Sequence, residues 1–403
     1  MFPAFRLLFF VAAVFCASCS DHSDTDPESS SDSDSDTDSD SDRDTDTDTD
    51  TYMDTDADSG TDTGETTIRM FDRILFYDGY AEVVEEPVPK GVIRHLNSLY
   101  AKQLTAGQIQ SIRNTLSMEV LIGAACDNYD RIGSVNVALV AKGSETYDHE
   151  TVDRIEIGRF ITPFMDKNRT PDTVPYNFEV NNIVPILKDE NLLSKYDIWI
   201  ELEVFGVPYA ANQEIAGCDG RNDVFYGTLT IVSDNTSPAE HFDLLLPLAM
   251  KANFNNYQEG ASDKIGETIR TINFTLDSSV GNAQFVLIAS NHGAGLGGEE
   301  YNRRDHFVYF DDDLKLTYKP GRDSCEPFRQ YNTQANGIYG LFPKSDAEWQ
   351  SFSNWCPGDV IDTRIIELGA VSAGAHAFVI EAPDAVFVGE QGNFPLSLYL
   401  QAR

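Results

Sequence analysis

The chain is short of basic residues. Its 403 residues include 29 Lys and Arg against 66 Asp and Glu, a formal charge of −37 at pH 7. Nucleic acid releases its counterions only to Lys and Arg, so this deficit excludes a general nucleic-acid binder. It also argues against docking on anionic lipid through a basic patch. Neutral glycans stay open as ligands, because carboxylates, amides and aromatic rings hold them. Beyond the leader's Cys16 and Cys19 no Cys-x-x-Cys occurs, which speaks against a zinc knuckle. The seven His form no His-x-His pair, which speaks against a copper centre. Strand-like and helix-like stretches do not alternate, so a doubly wound sheet is not expected. The apolar run Leu7 to Phe15 is too short to span a bilayer.

What is present begins with an address. Residues 1–18 read as a secretory signal, with Arg6 ahead of the apolar run. Ala17 and Ser18 before Cys19 resemble a bacterial lipoprotein cleavage box, although Cys16 stands where Leu is commonest. That resemblance implies a lipid on Cys19, membrane attachment through it and, with Ser20 following, the outer membrane or cell surface. Residues 19–66 form a linker of alternating Ser/Asp and Thr/Asp. Residues 20–66 hold 19 acidic side chains and one Arg, a net of −18, which leaves −20 on residues 67–403. No apolar residue recurs there, so nothing offsets the entropy of ordering the backbone, and an extended, disordered tether is expected.

From Ile68 onward the texture becomes that of antiparallel sheet. Alternating or continuous apolar runs recur at Ile68–Tyr77, Ser134–Val140, Arg154–Ile161, Asp197–Phe205, Phe225–Val232, Glu267–Leu276, Ala283–Ala289, Asp305–Phe310, Thr363–Glu367, His376–Ile380 and Pro395–Leu400. They are rich in β-branched and aromatic residues and are bounded by Gly, Pro, Asn and Asp. One helix is expected, Thr105–Ser117, with Thr105 as N-cap. The pattern predicts an all-β chain of two packed sandwiches, spanning 67–233 and 238–403. The break falls at Ser233-Asp234-Asn235-Thr236-Ser237-Pro238, six turn-formers without an apolar member. Past Cys19, Cys126, Cys218, Cys325 and Cys356 remain, an even number that suits an oxidising compartment. Four cysteines allow three pairings. Pairing within each sandwich would join Cys325 to Cys356 and Cys126 to Cys218.

Three stretches resemble the peptide:N-glycosidase F family. The first is Cys126-Asp127-Asn128-Tyr129-Asp130-Arg131, followed by Glu156-Ile157-Gly158-Arg159-Phe160-Ile161-Thr162-Pro163-Phe164. The second runs from Asn291-His292-Gly293 to Gly298-Glu299-Glu300-Tyr301-Asn302-Arg303-Arg304-Asp305-His306. The third is Trp355-Cys356-Pro357-Gly358, then Thr363-Arg364-Ile365. The resemblance implies two eight-stranded jelly-roll sandwiches side by side, with the site in the cleft between them. It implies hydrolysis of the amide joining Asn to the first sugar of an Asn-linked glycan, with glycoproteins or glycopeptides as substrate and a water nucleophile. No metal and no cofactor are expected, and a monomer is expected. An amide nitrogen leaves badly without a proton and water attacks badly without a base, so the chemistry calls for carboxylates whose environments separate their pKa values.

By the same resemblance Asp130 is the main catalytic carboxylate, with Glu300 and Glu201 as supporting acids. Glu201 lies in Trp199-Ile200-Glu201-Leu202-Glu203, where alternation puts Trp199, Glu201 and Glu203 on one strand face. Arg131, His292, Tyr301 and Glu299 are the implied substrate-binding residues. On a strand Arg131 would point away from Asp130 unless the chain bulges there. Glu299 and Glu300 are adjacent, and the aromatic Tyr301 and His306 that follow favour Glu300 as the catalytic one. There are departures from the family pattern. The family often has a substrate-touching Arg just before Trp-Cys-Pro-Gly, and Ser351-Phe352-Ser353-Asn354 offers none. The short disulfide around the second Glu is absent, with Gly298 and Asn302 in its place. An altered glycan or peptide preference is the expectation. The alternative from another class is a non-catalytic glycan-binding lipoprotein on the same fold.

Overall fold

The computed structural model describes residues 64–295, 298–334 and 342–403. The signal, Cys19 and nearly all of the acidic linker lie outside the described residues. No described helix is long and apolar enough to cross a membrane.

Nine strands follow one another before the break at residue 233. They are β1 (Thr66–Tyr77), β2 (Val92–Leu96), β3 (Leu99–Gln103), β4 (Ser117–Ala124), β5 (Ile132–Ala141), β6 (Asp153–Ile161), β7 (Thr173–Glu179), β8 (Tyr196–Val204) and β9 (Asp223–Ser233). Nine more follow it: β10 (Leu244–Ala252), β11 (Ile269–Leu276), β12 (Val280–Ala289), β13 (His306–Phe310), β14 (Asp313–Tyr318), β15 (Val360–Ile361), β16 (Thr363–Val371), β17 (Gly374–Glu381) and β18 (Leu396–Ala402). The first sandwich packs the sheet β1-β9-β4-β7 on the sheet β15-β6-β5-β8-β3-β2. The second packs β10-β18-β12-β16 on β11-β17-β13-β14. The second therefore has the eight strands expected. The first exceeds them, through the β2–β3 hairpin and through β15, which the second half of the chain lends to the edge of β6.

Each sandwich closes on an apolar core. Phe76, Val120, Ile122, Val135, Val137, Ile200, Leu202 and Leu229 anchor the first, and Phe254, Phe285, Phe378, Leu398 and Leu400 the second. Burying one such side chain contributes about 1.5–3 kcal/mol. β5 is buried along almost its whole length, which suits its central place in the sheet and its near-continuous apolar run. Gly133 on β5 faces the Phe160 ring of β6, where an added Cβ would sit 2.2 Å from the ring. β10 carries Pro247 and is an edge strand, where a missing N–H is tolerated. The expected helix is shorter than predicted. It spans Ala106–Ser111, capped by a reciprocal pair of bonds between Thr105 and Gln108. It stops because Asn114 and Thr115 donate to the Asp234 carbonyl and Leu116 to Asn181, which turns the chain into β4.

The two sandwiches share a dry seam. Ile161, Ile288, Trp355 and Ile361 form one buried cluster with Ile132 packed against it, and Val286 and Tyr399 of the second sandwich join the first core. One polar knot crosses the seam. The Arg159 side chain is fully buried and pairs with Glu156 through two bonds of 2.8 and 2.6 Å. It also donates to the Ser290 hydroxyl at 2.9 Å and the Pro395 carbonyl at 2.7 Å on the other sandwich. Desolvating a guanidinium costs several kcal/mol, and this set of partners offsets it. Half of the Glu156–Phe164 motif is thus explained by docking alone.

Candidate active site

The other half of that motif holds the Asp130 segment. The Thr162 hydroxyl accepts from the Arg131 N–H at 2.7 Å and donates to the Tyr129 carbonyl at 3.0 Å, while the Thr162 N–H donates to the Arg131 carbonyl at 2.8 Å. Asp127 fixes the same segment from the far side. Its buried carboxylate accepts from the N–H of Tyr129 at 3.0 Å, the N–H of Val207 at 2.7 Å and Arg131 Nε at 2.6 Å. The disulfide Cys126–Cys218 ties down its start. Residues 125–131 lie outside any strand, so the alternation that would have turned Arg131 away from Asp130 does not apply. Arg131 bends back onto Asp127, with its guanidinium 5.6 Å from the centre of the Tyr129 ring.

Asp130 is surrounded by protein yet keeps part of its surface exposed. Depth and solvent contact are separate quantities, and here a carboxyl is poorly solvated but reachable. Burial, then the nearby Glu300 charge, push it up from its ordinary value to about 7, with Arg131 opposing. Glu300 is buried, and burial raises its own value. Two donors work against that rise: the Tyr301 hydroxyl and the Gly293 N–H, the latter at 3.3 Å. Tyr301 in turn feels both carboxylates, and its phenol is held well above its usual range by burial and by Glu300. Asp130, Glu300 and Tyr301 therefore form one electrostatic unit, built from both halves of the chain. Like charges brought together in a poorly solvated site cannot both ionise freely, which is how an acid and a base are separated at neutral pH.

The Glu300 loop is shaped by the third motif. Asn354 Nδ2 donates to the Glu299 carbonyl at 2.6 Å and the Glu300 carbonyl at 2.8 Å, and its backbone N–H reaches Glu300 as well. Trp355 Nε1 donates to the Asn291 carbonyl at 2.9 Å. The loop leaves no room for a side chain at Gly298, where a Cβ would meet the Gly293 carbonyl oxygen at 1.9 Å. The Cys325–Cys356 disulfide anchors the base of this segment. The three motifs, far apart in the chain, meet here.

His292, Glu299 and Glu201 differ from their expected places. The His292 ring stacks on Trp355 and bonds Ser290 at 2.8 Å. Burial and Arg159 push it down to about 3, so it is a neutral part of the wall. Glu299, expected to touch substrate, does not reach the cleft. Its fully buried carboxylate pairs with Arg304 at 2.8 and 2.7 Å and accepts the Val386 N–H, so it braces the loop. Glu201 is not brought to the other two acids. It pairs across the sheet with Asn136, four residues and roughly 13 Å along β5 from Ile132, and Asp130 lies before that strand begins. Both of its oxygens are occupied, one by the Tyr147 hydroxyl at 2.7 Å and the other by Arg154 at 2.5 and 2.9 Å and Asn136 at 3.1 Å. Glu201 and Glu203 do share a strand face, both within reach of Asn136 Nδ2. Asp127, Thr162 and Asn354 were passed over as functional. Thr162 and Asp127 lay inside the motifs, but nothing in the sequence marked Asn354.

Among the described residues no group of three or more His, Cys, Asp or Glu side chains is placed to hold a metal. The arrangement can move protons between a carboxyl near neutrality and a second buried carboxyl beside it.

Comparison with known proteins places this geometry. The N-terminal and C-terminal family models of peptide-N-glycosidase F match residues 67–219 and 256–401. No curated protein matches at the level of sequence. Among solved structures, PNGF-II superposes with a TM-score of 0.59 at 18% identity, over 84% of this chain and 66% of that one, so the chain spans about two thirds of that protein's length. Recombinant peptide:N-glycanase F gives 0.55 at 15% identity, over 84% of this chain and 96% of that chain. PNGase F of Flavobacterium meningosepticum, a glycosylasparaginase, gives 0.54 at 13%, with the same coverage. These identities carry the fold, and the two family models carry the membership: the chain belongs to the peptide-N-glycosidase F family.

Proposed function

We propose that the chain hydrolyses the amide joining Asn to the first sugar of Asn-linked glycans on glycoproteins or glycopeptides, leaving Asp and the released glycan. The reading rests on one observation above the rest. Asp130 and Glu300 come from opposite sandwiches to a shared cleft, and together with burial this lifts Asp130 to about 7. A base works best with a pKa near the operating pH. Glu300 ionises first, helped by its two donors, and orients the attacking water. Asp130, once ionised, takes a proton from that water as the oxygen adds to the amide carbon. It then returns the proton to the departing nitrogen as the carbon–nitrogen bond breaks. Arg131 and Tyr301 are the proposed substrate contacts nearest the pair.

Asp130→Asn tests the assignment. It should abolish release of glycan from a denatured glycoprotein while the protein stays folded by circular dichroism. Near-normal release by the Asn variant would remove Asp130 from the mechanism. We also infer that a lipid on Cys19 and the acidic tether hold the enzyme on the outer membrane or cell surface; mass analysis of the mature N-terminus tests this.

A further inference from the structure

Lys344 is an unusual cation for this protein. The folded part carries a net charge of −20, yet the half-buried Lys344 ammonium forms no ion pair among the described residues. Instead it sits 4.4 Å from the centre of the Phe352 ring and 5.5 Å from that of Trp349. Cation–π attraction of this kind holds an ammonium in place without neutralising it.

Its position is built. The Glu326 carboxylate accepts the Lys344 N–H at 2.7 Å and Trp349 Nε1 at 2.9 Å, and it is itself paired with Arg329. The short helix Asp346–Phe352 that carries both rings is capped by Ser345. The carboxylate nearest to hand, Glu348, is engaged by the Ser345 N–H and hydroxyl, each at 2.8 Å. Phe352 rests on the Cys325–Cys356 cluster, and its free side meets the Tyr301 ring at 6.1 Å.

Tyr301, Lys344, Glu348, Ser351 and Phe352 line an open groove of about 400 Å³. The Tyr301 hydroxyl bonds Glu300, so one wall residue of the groove also touches the catalytic pair. A substrate that passes Tyr301 would meet an aromatic floor and the Lys344 ammonium, whose charge also acts on Glu348.

We propose that Lys344, Phe352 and Tyr301 form a subsite for a carboxylate-bearing part of the substrate, next to the scissile amide. The carboxylate is carried either by an acidic sugar of the glycan or by an acidic residue flanking the glycosylated Asn. Without such a cation, the two catalytic acids and the net charge would repel an anionic substrate. The subsite rests on the amidase reading above and adds a preference to it.

The test compares the wild-type chain with Lys344→Gln and Lys344→Arg. Three glycopeptides are used: a neutral glycan on a neutral peptide, a glycan bearing a sugar acid, and a neutral glycan beside a Glu. Lys344→Gln should raise KM for an acidic substrate by about three- to tenfold, as loss of one partly exposed charge contact predicts. kcat and the neutral substrate should stay within about twofold, with Lys344→Arg restoring KM and added salt erasing the difference. A rise confined to the sugar-acid arm places the glycan in the groove; one confined to the Glu arm places the peptide there. Equal effects on all three substrates, or none, overturn the subsite and leave the amidase standing. A wild-type chain that cleaves none of the three overturns the amidase reading, and the subsite with it.

Discussion

Asp130→Asn should make the protein more stable, and increasingly so as pH rises. In the unfolded chain an Asp ionises at its ordinary value of 3.8, whereas in the cleft Asp130 holds its proton to about 7. Below about pH 4 both states are protonated and the side chain contributes no pH dependence. Between the two values only the unfolded chain ionises, so the folded state loses ground steadily; above about 7 the loss is complete. At about 1.4 kcal/mol per tenfold, the rise to about 7 amounts to about 4 kcal/mol. That is an upper figure, because water in the open side of the cleft screens the charge. Asn does not titrate, so every ionisable group outside the Asp130–Glu300–Tyr301 unit cancels when variant and wild type are compared at the same pH. The assay is urea unfolding of both at a series of pH values from about 4 to about 8. The difference should grow from near zero to a few kcal/mol in favour of Asn. A difference that stays flat across this window, or that favours Asp at high pH, would refute the placement of Asp130 in a poorly solvated site beside Glu300.

Three further outcomes follow from named contacts. Glu300→Gln removes the second cause of the high Asp130 value, so kcat/KM should fall by about 10²–10⁴, and the rise of the residual activity with pH should move below about 7; a profile left in place would separate the two acids. Glu201→Gln leaves Arg154 buried with a weakened partner, so stability should drop by about 3 kcal/mol in urea titrations while kcat on a glycopeptide changes little. Arg159→Met should cost about 3–5 kcal/mol by stranding Glu156 at the seam, read as a lower urea midpoint.

The sheets were easy to read because burial writes itself into alternation. Every apolar run singled out from Ile68 to Leu400 lies in or overlaps a strand. Of the strands that escaped, β3, β4 and β7 are well buried but were not singled out, and three others have only partly buried residues. β2 carries Arg94 and His95, β10 is half-buried along its length around Pro247, and β14 alternates exposed residues with half-covered ones. Two-residue β15 exists only because the other sandwich offers β6 as a template, which no local pattern records. The site divides in the same way. Asp130 and Glu300 sat in motifs dense enough to be recognised. Glu201 was implied by resemblance, and a strand's period fixes its face but not how far along that face a neighbour lies. Glu299 was taken for a cleft residue, and only the placement of Arg304 and Val386 shows that its carboxylate turns inward. Lys344 has no sequence signal at all; its meaning comes from the two rings that hold its ammonium and from Tyr301 in the same groove.

The central claim is that Asp130 and Glu300 together direct water at the glycosylated Asn. The most direct measurement is the mass of the peptide left after the full chain acts on an Asn-linked glycopeptide in heavy-oxygen water. The account predicts that the whole glycan is lost, that Asn has become Asp, and that the new carboxyl carries one heavy oxygen. A peptide that keeps a sugar on an intact Asn, or a substrate that returns unchanged from prolonged incubation, would contradict it.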